Sequence, residues 1–459
     1  MVPLVGMRTA RLLLGLLAFV CTVTACGDEA VTPPATPPPA LPPIAPEVAA
    51  WLDARGHPFE GTHIGLDTEE LRFLDAIVGD ARIVSLGENT HGTRDFFEMK
   101  ARILRYLVEE HGFNAFAIEA TWPEAWRLDH YVRTGEGDPV ALLSGLYFWT
   151  WNTESVLEMI EWMRAHNASG GDIGFYGVDM QYPGMALHNV REFFEAVDPD
   201  RAEQVAELLA CLSDFANGPD GRFPAARYET LDRVDRVACG NRLDAVGALL
   251  EDGRTTYEAA TDAEVYQRAV HSLRVAVQYH EEVEGLQFRD QSMAENTIWL
   301  ADHLGADARI VVWAHNFHVA DLLGQQGYYL RRRFGDDMVV VGFTHAAGEF
   351  TAVWQNGIEF LGRQPMRLDA VAPLSYEAHL ETAEAPRYVL DLRDVDTGES
   401  GAGWLAVPRQ TRLIGCCYDS NRPWNYWGDM DVPALFDVLI HFDTTGPTAV
   451  LPLRPPTAF

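Results

Sequence analysis

Lysine is nearly absent from this chain of 459 residues: of 35 basic residues only Lys100 is a lysine, and the rest are arginine. Positive charge is scarce as a whole, because 67 acidic residues bring the net charge to −32. Gripping nucleic acid needs a basic footprint, so this balance argues against that partner. Cysteine is also sparse. The six residues contain no CxxC pair and so no zinc-site framework. Neither GxGxxG nor GxxxxGK[ST] occurs, which removes the common phosphate loops. There is no GxSxG elbow either: Ser85, Ser144, Ser169, Ser292 and Ser400 all lack that context, which argues against a serine esterase. The apolar run from Leu12 to Val23 is too short to cross a bilayer as a stable helix. What remains is 47% hydrophobic with 38 Gly and 26 Pro, a composition neither disordered nor collagenous. A prior of about 150 residues per domain suggests three domains, though one α/β domain with a large insertion takes up the same length.

The first 25 residues combine Arg8 and Arg11, no acid, a short apolar core and small residues, which is the pattern of a secretory signal. Their end, Val23-Thr24-Ala25-Cys26-Gly27, resembles the lipobox of bacterial lipoproteins, with Cys26 as the lipidated residue. An ordinary signal with a chance cysteine is the competing reading. Residues 26–46 contain the stretch VTPPATPPPALPPIAP, a Pro-rich tether that suits neither helix nor central strand. The expected location is therefore extracytoplasmic, held at the cell envelope by lipid alone. Removing Arg8 and Arg11 with the signal takes the net charge to −34, which repels anionic lipid heads. In an oxidising compartment a Cys211–Cys239 bridge between helices is one of two open states for that pair. The adjacent Cys416 and Cys417 can pair with each other only under strain.

Short β-branched runs alternate with helical periodicity, which is the α/β signature. The runs predict strands at Arg82–Leu86, Asn114–Ile118, Ile173–Val178, Arg309–Trp313 and Met338–Phe343, and further short strands at Phe350–Trp354, Tyr388–Leu392 and Val438–Phe442. Helices are expected at about Arg94–Glu110, at Glu154–His166 after a Thr153 cap, and near Tyr376–Thr382. Residues 183–304 contain no strand pattern and read as a helical insertion, with segments at Arg201–Ala216, Ala226–Leu250 and Ala259–Glu284. That insertion would divide the catalytic unit into residues 47–182 and 305–459. The fold expected is α/β, a mostly parallel central sheet flanked by helices with a large all-helical insertion. The aromatic stretch Tyr418–Trp427 reads as a loop that either covers a pocket or packs on the core.

The chemistry lies in where polar residues fall. In parallel sheets the C-terminal strand ends share one edge, where ligands sit. The first strand runs into Gly87-Glu88-Asn89-Thr90-His91-Gly92, the second ends in Glu119, the third in Asp179, and the fourth leads into Ala314-His315-Asn316-Phe317-His318. Singly, each has a plain structural explanation: Glu88 and Asp179 as caps, the histidines as satisfied structural residues, the glycines as tight turns. Jointly, carboxylates and imidazoles converging on one edge point to a catalytic or metal site.

These same residues resemble the erythromycin esterase family, through GENTHG (Gly87–Gly92), AIEA (Ala117–Ala120), YGVDMQ (Tyr176–Gln181), RDQSMAEN (Arg289–Asn296), WAHNFH (Trp313–His318) and FDVLIHF (Phe436–Phe442). Six motifs in order cover about residues 65 to 445. The resemblance implies hydrolysis of a cyclic ester by activated water, with His91 as general base and Glu88, Glu119, His315 and His318 around it. It also places Lys100 where family members carry a basic residue. The alternative for Lys100 is a solvated helix face.

The chemistry of ester hydrolysis fits this set. Water is a poor nucleophile at neutral pH, and a positioned base contributes about 10² to 10⁴ in rate. A carboxylate, Glu88 or Glu119, can hold the base in one tautomer. Oxyanion donors are open among His315, His318, Lys100, Arg289 and backbone N–H groups near Gly92. Asp179, Arg289, Asn316 and Trp151 are the expected substrate-binding residues, although aromatic residues at this density also serve as core. The expected partner is a small-molecule ester or lactone, with no cofactor. Two other readings compete: a hydrolase using a divalent metal at the same rim, and a surface lipoprotein that binds haem or a metal chelate without turnover. Substrate choice lies in the insertion and loops, so a macrolide substrate and a part in antibiotic resistance do not follow from the rim.

Overall fold

A computed structural model describes residues 43–217, 227–357 and 359–454. The expected signal, Cys26 and nearly all of the tether lie outside the described residues. A helix at Pro46–Arg55 opens the described fold, and the described residues from Ile44 onward form one compact unit.

The buried β-branched runs become a parallel core: β1 (Ile83–Leu86), β2 (Ala115–Thr121), β3 (Gly174–Asp179), β4 (Ile310–Trp313) and β5 (Met338–Asn356). After them come β6 (Glu359–Arg367), β7 (Arg387–Asp391), β8 (Cys417–Tyr418) and β9 (Val438–Thr445). The sheet order is His57–Pro58, β7, β9, β5, β1, β4, β2, β3. From β9 to β3 every neighbour is parallel, whereas β7 is antiparallel to β9 and β6 to β5. This is a mixed α/β fold with a large, mostly parallel sheet flanked by helices. Strands β1 and β4 are buried along their whole length, as central strands covered on both faces must be.

One face is covered by α1 (Arg94–His111), α2 (Trp122–Thr134) and α3 (Glu154–Ala168), whose apolar residues join the core around Leu86, Phe116 and Val311. The Thr153 hydroxyl caps α3 by accepting the Val156 N–H, and Gly112 ends α1 in the left-handed region at φ 68°. Between β3 and β4 come α4 (Gly184–Val197), α5 (Pro199–Ser213), α6 (Arg233–Ala260), α7 (Ala263–Val283) and α8 (Arg289–Leu304). Helices α4 to α7 pack a core of their own around Leu209, Leu243 and Val275, and a Cys211–Cys239 disulfide ties α5 to α6.

Several expected bounds shift for physical reasons. The strands expected at Met338–Phe343 and Phe350–Trp354 are one element, the 19-residue β5, because the polar residues between them continue the ladder. Helix α6 starts later than expected and runs to Ala260, where Asp262 caps α7 by accepting the Glu264 N–H. Glu119 lies inside β2, at a register irregularity between Ile118 and Thr121.

Candidate active site

The loop after β1 is shaped by what its glycines leave out. A Cβ on Gly92 would lie 1.7 Å from the Thr351 carbonyl oxygen, and one on Gly87 2.1 Å from Asn316 Oδ1. Neither glycine has a positive φ, so close approach, and not the tight turn expected from the sequence, is their role here. The Gly92 carbonyl accepts N–H bonds from Thr351 and Thr448, both 2.9 Å, which pins the loop to β5 and to the C-terminal segment.

That loop buries Glu88 completely. Its Oε1 lies 2.7 Å from His91 Nδ1, and its Oε2 accepts from Lys100 Nζ at 2.6 Å and Trp313 Nε1 at 3.0 Å. Lys100 is wholly buried on α1, with its ammonium 4.3 Å from the Trp313 ring centroid. This rules out the solvated helix face. Burial lowers its affinity for a proton to about 8 against the opposing pull of Glu88. Lys100 therefore acts behind Glu88 and positions it.

His91 has an 11% exposed side chain, and its ring meets Trp151 edge-on at 5.6 Å between centroids. Trp151 is itself buried and donates Nε1–H to the Glu119 carbonyl at 2.7 Å, so it forms the wall behind His91. Burial alone would depress the His91 pKa. The hydrogen bond to Glu88 and the charges of Glu119, Glu88 and Cys416 outweigh it, and the net shift is upward. With Nδ1 turned to Glu88, Nε2 is left without a partner among the described residues.

The irregularity in β2 turns Glu119 into a second cluster, a use of bulges common beside active sites. Its Oε1 accepts from Arg289 Nη2 at 2.8 Å and lies 3.4 Å from His318 Nε2, while Oε2 accepts the His315 backbone N–H at 3.0 Å. Burial pushes this carboxyl up, but His318, Arg289 and His91 more than offset it, leaving it well below the usual range. Asp179 is fully buried and takes Arg289 Nη2 at 2.6 Å and Nε at 3.1 Å. Arg289 opens α8, and its guanidinium lies between Asp179 and Glu119. His318 Nδ1 lies 2.7 Å from Asp290 Oδ1. Burial would empty this imidazole of its proton, yet Glu119 and Asp290 push it up to about 10. Its Nε2–H then points to Glu119, a carboxylate it shares with Arg289 Nη2, and Arg289 Nη1 lies 3.2 Å from the same Nε2.

Two expected site residues have other occupations. His315 Nδ1 accepts the Phe317 N–H at 3.2 Å and Nε2 donates to the Ile414 carbonyl at 3.1 Å. Burial, with His91 and His318 nearby, pushes it down to about 3, so it is neutral and both nitrogens are spent on backbone. Asn316 donates to the Phe343 carbonyl at 2.8 Å and accepts its N–H at 3.1 Å, clamping α9 (Asn316–Val319) to β5.

One wall had no motif to announce it. The segment Ile414–Cys417 crosses the site: the Ile414 N–H bonds the Asn89 carbonyl at 2.8 Å, and Gly415 lies against His91. Among the described residues no group of three or more His, Cys, Asp or Glu is arranged to hold a metal ion. The chemistry of the donors agrees, since His315 and His318 have each nitrogen engaged and His91 Nδ1 is on Glu88. Of the three histidines, His91 Nε2 is the one ring nitrogen left without a partner among the described residues.

The sequence profile of the erythromycin esterase family matches residues 108–445. A putative hydrolase of Bacillus subtilis, YbfO, is 23% identical over 87% of this chain and 92% of its own length. Erythromycin esterase type II of Escherichia coli is 21% identical over 66% of this chain and 78% of its own. Among solved structures, a Bacillus cereus protein superposes with a TM-score of 0.76 at 24% identity, covering 88% of this chain and 99% of that one. A mutant of erythromycin esterase EreC in its open conformation superposes at 0.64 and 19% identity, covering 87% and 99%.

Proposed function

This chain belongs to the erythromycin esterase family, and from that premise we propose that it is a carboxylic ester hydrolase that cleaves an ester or macrolactone by direct attack of water. The family and its relatives support a hydrolase-like function on a small molecule. The observation that carries the finer reading is the division of labour among three histidines. His315 is spent on backbone and His318 on two carboxylates, while His91 keeps one nitrogen for a reacting molecule.

In this mechanism His91 Nε2 takes a proton from water as the water oxygen bonds to the acyl carbon. Glu88 holds the opposite ring nitrogen, fixes the tautomer and stabilises the imidazolium that forms. Arg289 and His318 are the positive groups at the rim, and their pairing with Asp179, Glu119 and Asp290 leaves the tetrahedral oxyanion to a further donor, with the backbone N–H groups near Gly92 as the candidates. As the ester C–O bond breaks, the proton on Nε2 passes to the leaving alkoxide, giving an acid, an alcohol and a neutral His91. The Arg8–Arg11 flank and the residues up to Cys26 support export and lipid attachment, and the Cys211–Cys239 disulfide suits an oxidising compartment.

The test is turnover of a panel of lactones and simple esters in water enriched in oxygen-18, after exhaustive chelation. The expected result is undiminished activity, one heavy oxygen in the acid product, and no acyl-protein adduct on acid quench. Loss of activity restored by a divalent cation, or a trapped acyl-protein, contradicts the mechanism.

A further inference from the structure

The wall beside His91 contains a feature that hydrolysis does not use. Cys416 and Cys417 lie on the segment that crosses the site, and their Sγ atoms are 2.9 Å apart. The backbone holds them there. The Cys416 carbonyl accepts the Val353 N–H at 2.9 Å, Cys417 pairs with Val353 in the β8–β5 ladder, and the Ile414 N–H is tied to the loop that carries His91. Cys416 is an exposed residue and Cys417 a half-buried one. The same chain already holds Cys211 and Cys239 as a disulfide.

We propose that Cys416 and Cys417 form a redox-active dithiol that a low-molecular-weight disulfide converts to a vicinal disulfide on the wall of the His91 site. The Cys416 thiolate attacks one sulfur of the small disulfide, forming a mixed disulfide and releasing one thiolate. The Cys417 sulfur, as its proton leaves, then attacks Cys416 Sγ and expels the second thiolate. The two cysteines lose two electrons and two protons, and the small disulfide gains them as two thiols.

Exposure and charge favour Cys416 as the first attacker. Either sulfur can donate across the 2.9 Å contact, and with the more exposed Cys416 as the thiolate the Cys417 thiol donates to it. That bond, and then the His91 imidazolium, draw its pKa down to about 6 against burial, while the same bond pushes Cys417 up. A free thiol near the ambient pH attacks fastest. Adjacent Cα atoms are only about 3.8 Å apart, below the usual span of a disulfide, so the closed ring is strained and easily reduced. Strained, accessible bridges are the labile and regulatory ones. Closing the ring removes a negative charge that helps to hold the proton on His91, so the base reads the oxidation state of the wall.

The test uses the intact chain and does not depend on any substrate. The protein is equilibrated with glutathione disulfide, acid-quenched, alkylated and mapped by mass spectrometry, while the His91 imidazole is titrated by NMR in both states. The expected result is that the 416–417 peptide loses two hydrogens and both alkylation sites, and that a mild thiol restores them. Cys417→Ser stops at glutathione on Cys416, and the wild-type His91 midpoint moves to lower pH on oxidation. Full alkylation of both cysteines after equilibration, or glutathione retained on the wild-type protein, overturns the proposal. A His91 titration identical in the two states overturns its link to the site.

Discussion

At Glu88 one oxygen faces His91 and the other faces a buried ammonium and an indole. An isolated carboxylate at this depth would cost several kcal/mol, and Lys100 offsets that cost with its own buried charge. Lys100→Ala leaves Glu88 without its cation, and the expected loss is about 3–5 kcal/mol of folding stability, measured by urea unfolding. Lys100→Arg keeps the charge and is expected to retain more activity than Lys100→Ala. The pH profile follows from the sign of the His91 shift. An imidazole must be neutral to accept a proton, and its pKa is raised above the ordinary 6.5. Activity is therefore lost as pH falls, through an inflection in kcat/KM above 6.5, and Glu88→Gln moves that inflection down. An acidic limb at or below the ordinary histidine value would remove His91 from the role of base.

Among the elements, the strands that carry the site were legible because they are short, apolar and β-branched; β1 and β4 begin one residue later than expected. Strand β6 was not, since all but one of its described side chains are exposed and it shows no apolar run. The two-stranded sheet Arg409–Arg412 with Trp427–Met430 was hidden for the same reason, its sequence being polar and aromatic. The site residues could be named from strand ends, but their partners could not. The spacing that places His315 at the rim says nothing of Ile414, 99 residues away, whose carbonyl accepts its Nε2–H. Loop and strand fit so closely at Gly92 that Gly92→Ala is expected to displace the loop, reducing activity at least tenfold with a lowered Tm. Asn316→Ala loses both hydrogen bonds to Phe343, at an expected cost of about 1–3 kcal/mol by denaturant unfolding.

For the whole molecule, the acidic charge and the helical insertion serve different ends. The charge of −32 disfavours anionic surfaces, so the proposed membrane attachment would rest on lipidation of Cys26. Cys26→Ala is expected to move the protein from the membrane fraction to the soluble fraction of expressing bacteria, read by fractionation and immunoblot. The insertion has its own core and disulfide, and it reaches the site through Arg289 at the start of α8. It thus contributes Arg289 to the site, while the loop after β1 carries His91, the proposed base. The central claim is that His91 is that base. The direct measurement is hydrolysis of the best ester or lactone by wild type and by His91→Ala, each checked for an unchanged fold by circular dichroism. A fall of at least 10² in kcat with the fold intact is expected, whereas a variant that keeps more than about a tenth of the wild-type rate contradicts the account.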